Sequence, residues 1–372
     1  MTTQHLNRAP ADGRRDLRVL VVTPFEDTGW TWLSHYFEHD EIVWTFRNGD
    51  LFGKKPWWWW WFALRMAPRV KDFDVVITHA PYMTLYLAVA MRGLFVNVPH
   101  LAFSFNHGNR RFFRGVLLWL LHRVIPRIDL FVVYSQKEMD ILGDIYAIPR
   151  EKFCFQHWAV QPPETCGELP EDVRARQPYV ACIGRNNRDF GTFLKAVDGL
   201  PVNAVVVCPA GMAASLEFPP NVLVYSDIPQ PRCHEIMRGA LINVIPILDA
   251  STGAGHMTIV AGMHLGKAQI VSQLPTIDDY FFDGVHGISV PPNSVEPLRN
   301  AIRFLCQHPE LCAQFGENAR RFSEEWLQEP SAVRGLKEIL LAFRNGEKLP
   351  QETRGWTAYK QRLKQSARNL VR

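Results

Sequence analysis

The segment IGRNNRDFGTFLKAV (183–197) runs an apolar stretch into Gly184-Arg185, then a turn, then Arg188 at an expected helix start. Two guanidinium groups beside a helix N-terminus suit a diphosphate. Arginine gives bidentate, permanently charged contacts, and the unbonded N–H groups of the first helical turn add to the field. On this segment alone, a pair of surface arginines at a turn is the alternative. A second segment, DASTGAGHMTIVAGMHLGKAQIV (249–271), sets Ser251, Thr252, Gly253, Ala254 and Gly255 ahead of a helix beginning near His256. Glycines let a backbone approach a ligand closely, and a helix start favours anions. No GK[ST] follows, and the GxGxxG pattern is missing, so neither a Walker loop nor a dinucleotide fingerprint is present. A plain helix-capping turn is the alternative here.

Such residues need elements to position them. The runs 17–24 (LRVLVVTP), 73–79 (FDVVITH), 98–105 and 129–134 predict buried strands, with helices near 30–39 and over 82–92, 110–126 and 136–143. A Pro-rich polar stretch follows, and a linker is expected over 161–178. Strands are then predicted over 179–184, 203–208, 221–225, 241–246 and 268–272. Helices are predicted over 189–198, 232–239, 256–265, 295–307 and 309–326. Short apolar strands alternating with helices imply parallel α/β units, with sites at the carboxyl ends of the strands. The expected division is a flexible stretch 1–16, a domain 17–160, a domain 179–345 and a basic tail 346–372. The fold class is α/β, two doubly wound Rossmann-like domains facing across a cleft.

The second half resembles the donor domain of GT-B glycosyltransferases, close to the group called family 4. The resemblance is carried by GRNNRDFGTFLKA, PPNVLVY, the Gly-rich turn with AGMHLGKAQIV, IDDYFFDGVHGISVPPNSVEPLRNAI and HPELCAQFGENARRF. It implies that Arg185 and Arg188 hold the donor diphosphate. It implies too that Gly253, Ala254, Gly255, His256 and Met257 face donor sugar and phosphates. The family's two glutamates, eight positions apart around this turn, fall on Gly253 and Ala261, so both carboxylates are missing; His256 and Thr258 are candidate substitutes. In the first half the resemblance is weaker. It places Gly29 in a loop near donor and acceptor, and a histidine at a strand end beside the reaction centre. His107 is the first candidate for that histidine and His79 the second. Histidine suits the role because it donates to a sugar hydroxyl and titrates near neutral pH.

The 372 residues carry a formal net charge of only +4, too small a bias for a nucleic-acid binder. Dispersed cysteines without a CxxC pair, and an N-terminus without an apolar core, predict reduced thiols in a cytoplasmic protein. Five tryptophans stand in a row at 57–61, and between Leu51 and Lys71 there are five basic residues and no acidic one. Segment 106–128 repeats that chemistry with five arginines. Apolar, Trp-rich faces with basic flanks suit peripheral contact with the inner face of an anionic membrane; packing of both helices in the core is the alternative. The tail offers a basic helix over 356–370. Two patterns are discounted: His35-Tyr36-Phe37-Glu38-His39 as a zinc motif, and Asp72-Phe73-Asp74 as a metal-binding DxD. The expected function is sugar transfer from a nucleotide-sugar donor to a hydroxyl acceptor, lipid-linked or a surface-glycan intermediate. The reaction is expected to be retaining, with no metal or cofactor. The rivals are a non-catalytic scaffold in a glycan-assembly complex and, last, a nucleotide-sugar epimerase.

Overall fold

The computed structural model describes residues 16–25, 36–37, 42–51, 53–105, 122–165, 167–249 and 254–370. Gly29, His107, Ser251, Thr252 and Gly253 lie outside them. So do most of the helices expected near 30–39 and over 110–126, and His35, Glu38 and His39. The chain forms two compact units. The first comprises residues up to Gln156 together with Val333–Arg354, and the second comprises His157–Ala332 together with Gly355–Arg372. Residues 333–345, expected with the second domain, therefore cluster with the first.

The first unit is a six-stranded parallel sheet in the order β2-β1-β3-β4-β5-β6. Its strands are β1 (Leu17–Thr23), β2 (Ile42–Asn48), β3 (Val75–His79), β4 (His100–Phe103), β5 (Leu130–Val133) and β6 (Phe153–Phe155). Crossovers include α1 (Pro56–Met66), α2 (Pro81–Gly93) and α3 (Gln136–Tyr146). Strand periodicity divides β1 between two cores. Leu17, Val19 and Val21 join Val333, Leu336, Ile339 and Leu340 on one face. Leu20 and Val22 meet Trp59, Ala63, Met66, Met83 and Leu87 on the other. Asp74 accepts from the Arg18 backbone N–H at 2.8 Å, an ordinary strand entry.

The second unit repeats the plan in the order β12-β11-β10-β7-β8-β9, again parallel throughout. Its elements are β7 (Tyr179–Ile183), α4 (Phe190–Val197), β8 (Asn203–Cys208), β9 (Val222–Ser226), α5 (Gln230–Gly239), β10 (Ile242–Ile245), α6 (His256–His264), β11 (Ala268–Ser272), β12 (Gly287–Val290), α7 (Val295–Gln307) and α8 (Pro309–Trp326). Helix α9 (Glu329–Asn345) carries the chain back to the first unit, and α10 (Trp356–Leu370) belongs to the second. The tail is anchored: Trp356 is fully buried, and Lys360 Nζ lies 2.5 Å from the buried Asp279 carboxylate. In each sheet the strand order reverses once, between β1 and β3 and between β7 and β10. Parallel α/β sheets leave a crevice at such points, outside the carboxyl ends of the strands.

Candidate functional site

In the second unit the reversal point is built by two loops that bond to each other. The loop after β7 meets the loop after β10 through an antiparallel bridge between Arg188 and Ile247. The Asp189 N–H donates to the Pro246 carbonyl at 3.0 Å, and the Leu248 N–H donates to the Asn187 carbonyl at 3.2 Å. Asn187 makes the turn possible. It takes a left-handed φ of 52°, which asparagine tolerates better than most residues, and its side chain donates to the Asp249 carbonyl at 2.9 Å. Asp189 then caps α4, accepting from the Thr192 N–H at 2.9 Å.

Arg188 is the buried member of the expected pair, and Arg185 is exposed. The Arg188 guanidinium lies against Gly184, where a Cβ would come within 2.9–3.0 Å of Nη2 and Cζ. Its Nη2 donates to Thr258 Oγ1 at 3.0 Å, across to the first turn of α6. Nε and Nη1 are buried and have no hydrogen-bond partner among the described residues. Burial pulls its pKa down from the ordinary value, yet an arginine remains charged at any working pH. Arg185 makes no hydrogen bond or ion pair among the described residues.

Gly255, whose φ of 92° suits glycine, is the N-cap residue of α6, and among the described residues no side chain caps the helix. Its first backbone bond runs from the Ile259 N–H to the Gly255 carbonyl at 2.9 Å. The N–H groups of His256, Met257 and Thr258 therefore precede the helical ladder and concentrate positive potential there. The His256 ring is buried: its Nε2–H donates to the Thr276 carbonyl at 2.9 Å, and it packs 4.5 Å from Tyr280. It contributes backbone, not imidazole, to the turn. Met257 is exposed, and Ala254 and Thr258 are half-buried. The structure thus brings Arg188, Thr258 and the start of α6 together. Sequence reasoning missed Asn187 and the pairing of Arg188 with Thr258; only the tolerance of asparagine for left-handed turns signalled the former.

In the first unit, His79 ends β3 at the reversal point beside β1, its ring 4.9 Å from Phe25. Burial lowers its pKa to about 4, so the ring is neutral near pH 7. It does not titrate near neutrality as the sequence reading expected.

Two parallel six-stranded Rossmann-like units fit the GT-B fold. The chain belongs to the GT-B glycosyltransferases: residues 9–160 match the family described as Glycosyltransferase Family 4, and residues 177–322 match Glycosyl transferases group 1. An uncharacterized glycosyltransferase of Methanocaldococcus jannaschii is 30% identical over 87 residues, 23% of this chain and 22% of that protein. The chain thus aligns with less than a quarter of that relative's length. Among solved structures, Anabaena HepE in complex with UDP superposes with a TM-score of 0.63 at 13% identity, over 88% of this chain and 100% of that one. Sucrose-phosphate synthase from Thermosynechococcus elongatus gives 0.67 at 12% identity, over 89% and 100%. A glycosyltransferase from Rickettsia africae gives 0.63 at 14%, over 89% and 99%.

Proposed function

We propose that the protein transfers a glycosyl group from a nucleotide-sugar donor to a hydroxyl acceptor. The observation that carries this reading is the Arg188 guanidinium, buried beside the start of α6 with two N–H-bearing atoms that have no partner among the described residues. A buried charge without a counter-charge is costly, so a site of this kind calls for an anion. A donor diphosphate supplies one. Charge grows on that diphosphate as its bond to the sugar breaks, and a preorganised cation with backbone N–H groups stabilises the growing charge. Arg185, exposed three residues before Arg188, is the candidate second cation. The fold relatives include HepE solved with UDP and with UDP and glucose. Retention of anomeric configuration, and operation without metal or cofactor, follow from the family resemblance and complete the reading. The acceptor is taken to be a lipid-linked or surface-glycan intermediate, handled by the first unit with His79 or His107 at the sugar.

The test is a thermal-shift titration with UDP, GDP, ADP, dTDP and CMP on the wild type and on Arg185→Ala/Arg188→Met. A nucleotide at about 100 times its dissociation constant adds about 2.7 kcal/mol of stability. One nucleotide should stabilise the wild type and leave the double variant unmoved. Loss of Arg188 should also cost about 2–4 kcal/mol of transition-state stabilisation in kcat/KM. Absence of any nucleotide response at millimolar concentration rejects the transferase reading. It favours a non-catalytic scaffold, for which the missing carboxylates at Gly253 and Ala261 already argue.

A further inference from the structure

Helix α1 is held in place by Trp59, Ala63 and Met66, which are buried against the sheet and α2. That register turns the other four indoles outward: Trp57, Trp58, Trp60 and Trp61 are 55, 44, 36 and 54% exposed. They are supported rather than splayed. Trp57 stacks on Trp58 at 4.2 Å, and Trp60 meets Tyr86 edge-on at 5.7 Å. A surface helix ordinarily shows charged and polar residues on this side.

The cations lie next to the indoles. A cavity of about 390 Å³ opens beside Trp58 and Trp61, walled by Arg47, Lys54, Arg65 and Arg69, and among the described residues no carboxylate lines it. Lys54 is bridged to Asp50 at 2.9 Å, and Arg47 donates to the Phe46 carbonyl at 2.9 Å. Arg65 and Arg69 make no hydrogen bond or ion pair among the described residues. Lys55 and Lys71, both exposed, continue the positive surface.

We infer that this face seats the protein on an anionic lipid bilayer, with the indoles at headgroup depth and Arg65 and Arg69 on lipid phosphates. Indole rings prefer the membrane–water boundary because one edge is polar and the body apolar. Each basic residue near an anionic surface multiplies partitioning by about fivefold. At 11 residues α1 is far short of a bilayer span, and no helix among the described residues is long and apolar enough to cross. Seating on the surface uses none of the residues of the nucleotide cradle, so it stands or falls separately from the transferase reading.

The full chain is tested by co-flotation with phosphatidylcholine vesicles and with vesicles containing about 30 mol% phosphatidylglycerol, in about 50 and about 500 mM NaCl. Binding is expected on the anionic vesicles at low salt, falling at least tenfold at high salt or without the anionic lipid. Trp57→Ser/Trp61→Ser and Arg65→Gln/Arg69→Gln should each weaken it at least tenfold while leaving Tm and the nucleotide response unchanged. The inference is overturned if the wild type ignores anionic vesicles, or binds both kinds equally at both salt concentrations. Folded variants that bind like the wild type overturn it as well. So does a dimer in sedimentation without lipid that the Trp57→Ser/Trp61→Ser variant dissolves, because the face would then be a contact between copies of the chain.

Discussion

Arg188 and His79 occupy corresponding places, each at the carboxyl edge of its sheet beside the strand-order reversal, and burial acts on them in opposite ways. Arginine cannot shed its proton, so Arg188 carries a charge that the described residues leave partly unsatisfied. Histidine can, and His79 stays neutral. A neutral ring donates a hydrogen bond to a sugar hydroxyl without titrating near neutrality, so its ionisation should be absent from the pH profile of kcat/KM around pH 6.5. It should appear in stability instead. The unfolded chain takes up the proton near pH 6.5, while the folded ring resists it until about pH 4. The resulting stabilisation is complete above pH 6.5 and is lost as the pH falls from there toward 4. His100 and His286, pushed down to about 3, and His157, pushed down to about 4, act in the same direction. Urea unfolding at pH 7.5 and 5.0 should show the wild type losing stability, and His79→Asn losing about 2 kcal/mol less. Equal losses would mean that the His79 ring is already protonated in the folded state.

At the scale of elements, α1 offers a comparison within one run of identical residues. Trp59 is 8% exposed, whereas Trp57 and Trp61 face solvent. Trp59→Ala should cost about 3–5 kcal/mol, because it opens a cavity between α1 and the sheet. Trp57→Ala and Trp61→Ala should stay within about 0.5 kcal/mol, and equilibrium denaturation of the three variants measures the difference. Sequence could not assign these roles, since five identical side chains carry no periodicity; only Ala63 and Met66 mark the inward side. The fully buried strands were legible for the opposite reason. VLVV (19–22) and YVACI (179–183) are unbroken apolar runs, followed by Thr23-Pro24 and by Gly184. The edge strand β2 was missed because IVWTFRN mixes half-buried and exposed positions, and β6 because FCF has only three residues. In the site, the Arg185/Arg188 spacing was legible, but the left-handed turn at Asn187 that buries one arginine and exposes the other was not. Histidine 256 was picked out as a polar group at a helix start, whereas its ring fills the core against Tyr280.

Across the whole molecule, the chain leaves the first unit at Gln156 and returns to it only at Val333–Arg354. The returning segment is part of that unit's core: Val333, Leu336, Ile339 and Leu340 cover the face of the sheet formed by Leu17, Val19, Val21 and their neighbours. The Gln351 carbonyl accepts the Phe155 N–H at 2.8 Å, and the Thr353 N–H donates to the Phe155 carbonyl at 3.1 Å, so the segment also covers the edge at β6. Each fully buried aliphatic side chain of this size is worth about 1.5–3 kcal/mol. Four together amount to about 6–12 kcal/mol, comparable to the whole stability of an ordinary domain. Residues 1–156 alone should therefore fail to unfold cooperatively on heating and should aggregate. The same residues joined by a flexible Gly/Ser linker to 333–354 should recover a single thermal transition and remain monomeric. Calorimetry and sedimentation on the two fragments decide the matter. If residues 1–156 melted cooperatively unaided, the returning segment would be an accessory layer rather than part of the first unit's core.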